Sequence, residues 1–150
     1  MKVAVHAIGE RAPRPAVRRA LSLAVMAVLK SERSKARGEI SVILTDRANI
    51  RRLNRQYLDH AGDTDVIAFP YERSDAMSGA EPFGDIYISV PVARDNAKRF
   101  HDDAERELIR LAVHGTLHLL GYKDHSKRDH AEMWKRQEKL VEKLTGRAKP

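Results

Sequence analysis

The chain has 150 residues, 28 of them basic and 21 acidic, for a net charge of +7. That length suits one domain with one sizeable core, and 42 % apolar with 33 % charged residues is the balance of a globular protein. No apolar run approaches the ~20 residues of a membrane span, the opening MKVAVHAIGE lacks the apolar core and cleavage site of a secretory signal, and the absence of cysteine excludes disulfides and leaves only nitrogen and oxygen to ligate a metal. A cytoplasmic protein without membrane contact is expected.

Residues 2–8 alternate apolar and polar, a short strand. Pro13 and Pro15 stand where a helix can begin, and Val17, Leu21, Ala24, Val25, Val28 and Leu29 keep helical spacing to about residue 31. Gly38 marks a turn. The β-branched run 39–45 reads as a buried strand, after which Thr45 or Asp46 can cap a helix whose apolar face is Ile50, Leu53 and Tyr57. Residues 58–63 read as a loop, 64–69 as a strand, 71–83 as a polar surface loop and 84–89 as a fourth strand. Pro91 opens a helix to about Phe100. A more apolar helix runs from 103 to 120, with Gly121 as its stop, and a last helix spans 127–144. This order predicts an α+β fold: one domain over 1–150, with a mixed, mostly four-stranded sheet packed by about five helices.

Basic residues cluster at 11–19, 31–37, 47–55 and 94–99. A basic surface attracts polyanions such as RNA, although a solvated basic face explains such clusters equally well.

The segment HGTLHLLGYKDH, residues 114–125, carries the chemistry. His114 and His118 lie four apart, so a helix stacks both imidazoles on one face. The helix is otherwise apolar there, apart from a single polar row of Glu107, Arg110, His114 and His118. Buried polar groups need partners, and a shared metal satisfies both histidines. Beyond Gly121 the chain delivers Asp124 and His125. Either can serve as a third ligand and leave a fourth position for water, the layout of a catalytic zinc site. Gly115 stands where the zinc-peptidase motif HExxH has its glutamate base, which disfavours that mechanism. Its lack of a side chain instead lets another backbone or a substrate approach.

This segment closely resembles the HGxLHLxGYDH signature of the YbeY family of bacterial rRNA-maturation endoribonucleases. Residues 53–72 (LNRQYLDHAGDTDVIAFPYE) are similar to that family's LNxxYxxxxxxTDVLSFP block, and 84–89 (GDIYIS) to its GDIxIS strand. The resemblance implies a zinc-dependent endoribonuclease for single-stranded RNA, acting in maturation of the 3′ end of 16S rRNA and in ribosome quality control, with ribosomal subunit proteins as further partners. Its third ligand is usually a histidine six residues after the second. Here that place is Asp124, and the histidine falls at 125. Spacing favours Asp124, with no compensating gap downstream, while ligand chemistry favours His125. The family also commonly carries a functional arginine where this chain has Leu58, so Arg55, Arg110 and His60 are the candidates to replace it in holding substrate. Whichever of Asp124 and His125 is not ligating, and His60, are candidates for a general base. Asp65 and Asp85 could orient ligands, and Trp134 is expected in the core. The rival reading is a non-catalytic ribosome-assembly factor with a structural metal.

Overall fold

The computed structural model describes residues 1–58, 64–72 and 81–147. Four strands, β1 (Lys2–Ile8), β2 (Glu39–Thr45), β3 (Val66–Pro70) and β4 (Pro82–Ser89), form one sheet in the order β1-β2-β4-β3. β1, β2 and β4 run parallel, and β3 pairs antiparallel with β4 at the edge. Five helices complete the chain: α1 (Pro15–Ser31), α2 (Arg47–Tyr57), α3 (Val90–Arg99), α4 (Ala104–Leu119) and α5 (Lys127–Thr145). The α+β architecture expected from the pattern is therefore present. β3 lies two residues further along than its apolar run suggested, and β4 begins two residues earlier. The expected loop at 71–83 falls largely outside the described residues, as does His60.

The two sheet faces divide by strand periodicity. Ile40, Val42 and Leu44 of β2 and Ile86 and Ile88 of β4 point into the main core with α1 and α4. Ile67, Phe69 and Tyr87 point the other way, where Ile50 and Leu53 of α2 cover them. The apolar face of α1 is the predicted one, Val17 to Leu29.

α4 is the hub: it touches α1, α3, α5, β3 and β4. Two glycines let it approach β4 closely. A Cβ on Gly115 would lie 2.6 Å from Cγ2 of Ile86, and one on Gly84 2.6 Å from Cδ2 of Leu119. The close approach at Gly115 is thus to the sheet's own side chains and not to a backbone or a substrate.

Candidate metal centre

With its apolar stripe committed to the sheet and α1, α4 turns its polar row toward the gap between α3 and α5. Glu107, Arg110 and His114 line a cavity of about 400 Å³ there. α3 contributes Asn96, and Arg99 and Phe100 at its end; α5 contributes His130, Trp134 and Gln137; Asp65 and Asp124 complete the polar lining.

The two histidines meet at Nε2, 3.0 Å apart. Both Nδ1 atoms are taken. That of His114 lies 2.7 Å from Oε1 of Gln137, whose Nε2 donates to Glu138, so the amide oxygen faces the imidazole. That of His118 lies 2.8 Å from the carbonyl oxygen of Tyr122. Both partners are acceptors, so the tautomer they select has its proton on Nδ1 and turns a bare Nε2 lone pair toward the other ring. Two lone pairs aimed at one point are a donor set for a cation. Two imidazoles on a tetrahedral zinc stand roughly 3.3 Å apart, so a small ring rotation would admit one.

Local sequence produces both contacts. Gly121 takes φ 101°, donates to the His118 carbonyl, and sends the Tyr122 N–H back to the Leu117 carbonyl. That pair of bonds is the Schellman ending that a glycine after a helix allows, and it folds the Tyr122 carbonyl under His118. Gln137 is buried on α5, next to Met133, Leu140 and Val141 on the same helical face. Burial, aided by neighbouring His118, pushes the His114 imidazole below its ordinary pKa against the opposing Gln137 bond. The neutral, ligating form is thereby favoured.

Among the described residues, no group of three or more His, Asp or Glu side chains converges closely enough to hold an ion. Asp124 and His125 nevertheless differ. Asp124 lines the cavity beside His114 and accepts a 2.7 Å hydrogen bond from Nδ1 of His130. Both residues are exposed, but His125 is not among the cavity's lining residues. Ser126 fixes this placement by capping α5 through the Asp129 N–H, leaving a turn of only Gly121 to His125 between the two helices.

The substrate-binding expectations fare differently. Arg110 lines the cavity, but its guanidinium donates to Glu138, Glu107 and Asp102 and is 5 % exposed. These carboxylates outweigh the burial that would otherwise lower its pKa and hold it charged. Arg110 is an ion-network residue, with four of its five N–H donors committed to carboxylates. Arg55 is exposed in the last turn of α2 and does not line the cavity. Arg99 was not singled out by the sequence, yet it lines the cavity. It donates to the neutral Oδ1 of Asn96, lies over the Phe100 ring and, among the described residues, pairs with no carboxylate. Asp65 lines the cavity and accepts from Asn96, which also donates to Glu107, while the Nδ1 partners of the two histidines are Gln137 and the Tyr122 carbonyl. Asp85 is instead engaged by the Tyr71 hydroxyl outside the cavity. Trp134 is not core: it is 40 % exposed at the cavity and stacks on His130. Helical spacing could have found this wall, since 130, 134 and 137 share one side of α5.

A family model described as Endoribonuclease YbeY matches residues 8–145. The chain belongs to that family. Relatives named Endoribonuclease YbeY include one from Chlorobium luteolum, 40 % identical over 83 % of this chain and 86 % of its own length. A second, from Flavobacterium psychrophilum, is 45 % identical over 70 % of this chain and 71 % of its own. A third, from Porphyromonas gingivalis, is 37 % identical over 93 % and 88 %. The solution structure of a Thermotoga maritima protein superposes with a TM-score of 0.65 at 28 % identity, covering 96 % of this chain and 89 % of that one. Within this YbeY chain, Leu58 stands exposed at the C-cap of α2, where it supplies no charge to the site.

Proposed function

We propose that this chain is a zinc-dependent endoribonuclease for single-stranded RNA, acting in maturation of the 3′ end of 16S rRNA and in ribosome quality control in the cytoplasm. The observation that carries this reading is the facing pair of bare Nε2 atoms on His114 and His118 beside an open cavity with several charged and polar residues in its wall. Relatives bearing the endoribonuclease name support the reaction class. Among the described residues no helix is long and apolar enough to cross a membrane.

His114 and His118 would hold the ion, and Asp124 would join them from the turn beyond α4. When bound, a zinc-type ion supplies Lewis acidity: it lowers the pKa of water toward neutrality and polarises a phosphoryl oxygen. Gln137 and the Tyr122 carbonyl keep the two imidazoles in the ligating tautomer. His130 orients the Asp124 carboxylate. Arg99, which pairs with no carboxylate among the described residues, brings a positive charge to the cavity, where a backbone phosphate would meet it. Ribosomal subunit proteins are the further partners this role implies.

Cleavage by the zinc-loaded protein of a single-stranded RNA, its duplex form and a peptide of similar length tests the substrate class. Single-stranded RNA alone should be cut. Equal cutting of the duplex would remove the strand preference, and cutting of the peptide alone would overturn the reading.

A further inference from the structure

The cavity's lining includes His130 and Trp134 on α5, Arg99 and Phe100 at the end of α3, and Asp124 in the turn. The His130 and Trp134 rings are stacked, with centroids 6.4 Å apart and planes inclined by 19°. This stack is tied to the site, because His130 Nδ1 lies 2.7 Å from Asp124 Oδ1. An indole 40 % exposed on the cavity wall leaves apolar surface in water without contributing to the core. Its helical neighbours Met133, Gln137, Leu140 and Val141 are the ones buried.

We propose that Trp134, backed by His130, is a stacking platform for one unpaired nucleobase next to the phosphate that is cut, with Arg99 on the α3 wall holding a neighbouring backbone phosphate. This rests on the endoribonuclease reading above and deepens it. A base has an extended π-face, and stacking on an aromatic side chain needs no particular sequence. Base-paired nucleotides keep their faces in their own helix, so the platform accepts an unpaired strand and rejects a duplex. The ordered stack also relates base to metal centre. A base on Trp134 sits one ring away from His130, whose other contact is Asp124. His130 is a positioning residue here: it sets both the platform and the carboxylate.

Trp134 is the chain's one tryptophan, so its fluorescence reports directly. The full-length protein is mixed with a short single-stranded RNA and followed over the first seconds. A strand of equal length with the bases removed and all phosphates kept serves as the comparison. The normal strand should quench the emission and the abasic strand should not. Trp134→Ala should weaken binding of the normal strand by about 5- to 150-fold, the range of one base–aromatic stack, and leave the abasic strand unchanged. Binding by the variant is read by anisotropy of a labelled strand, and Trp134→Phe should recover most of the affinity. If wild type cuts RNA while Trp134→Ala binds both strands as wild type does, the platform alone is overturned. Equal weakening of both strands by Trp134→Ala also overturns it. If wild type neither binds nor cuts RNA, the endoribonuclease reading falls and takes the platform with it.

Discussion

Nε2 of His114 lies 3.0 Å from Nε2 of His118, and each ring has already given its Nδ1 to an acceptor. The acceptors come from opposite directions: Gln137 from α5, and the Tyr122 carbonyl from the turn that ends α4. This orientation gives Gln137 a predicted role. Gln137→Leu keeps the approximate volume but removes the acceptor, so zinc affinity should fall about 10- to 100-fold, the usual effect of losing a ligand's outer partner. Competition with a chromophoric chelator measures it, and an unchanged affinity would show that the amide does not set the tautomer.

The third ligand separates two adjacent residues. Asp124→Ala should weaken zinc binding strongly, whereas His125→Ala should leave it near wild type, because Asp124 lines the cavity and His125 does not. Asp124→His should retain an ion, since imidazole and carboxylate both ligate zinc. Isothermal titration of the three variants decides. A strong loss in His125→Ala with none in Asp124→Ala would reverse the assignment.

The close packing of α4 on β4 predicts a stability cost. Gly115→Ala gains helix propensity of up to about 1 kcal/mol, but its Cβ would stand 2.6 Å from Ile86 Cγ2 in a filled core. Overpacking of this kind costs about 1–3 kcal/mol, so a net loss of roughly 1–2 kcal/mol is expected in urea unfolding. In the Ile86→Ala background the same substitution should cost much less, a coupling that a double-mutant cycle reads.

A second stability prediction concerns the charges under the cavity. Arg106, 2 % exposed, donates to Asp102, Thr145 Oγ1 and the Arg147 carbonyl, and Asp102 also accepts from Arg110. Burial alone would raise the Asp102 pKa. The Asp103 N–H, Arg106 and Arg110 outweigh it and hold the carboxyl below its usual range. A carboxylate depressed in the folded state takes up protons more readily when unfolded, so its contribution is complete above about pH 4 and is lost as pH falls through the lower folded value. Asp102→Asn should cost about 3 kcal/mol at neutral pH, by leaving buried guanidinium groups short of a partner, and should flatten the acid limb of the stability curve. Unfolding free energies between pH 2 and 7 test both.

How far the sequence carried depends on the kind of signal. The α1 face from Val17 to Leu29, the β2 run and the stop at Gly121 were legible because periodicity and backbone restriction are local properties. The pairing of His114 with His118 was equally local, one helical turn. Helical spacing puts Trp134 and Gln137 on one side of α5 with His130, but that this side and Arg99 face the cavity depends on how α3 and α5 flank α4. The ion network around Arg110 was hidden for the same reason: nothing near it in sequence reveals Glu138, 28 positions on. Spacing already favoured Asp124 over His125, but that Asp124 alone of the two lines the cavity follows from the turn that Ser126 fixes by capping α5.

The central claim is that one ion on His114 and His118 is responsible for RNA cleavage. The most direct test strips the purified protein with a chelator, restores zinc stepwise, and follows cleavage of single-stranded RNA in wild type and in His114→Ala/His118→Ala. Wild-type activity should return and saturate near one equivalent, while the double variant binds no zinc and stays inactive. A double variant that cleaves as fast as wild type, or stripped protein that needs no metal, would contradict it.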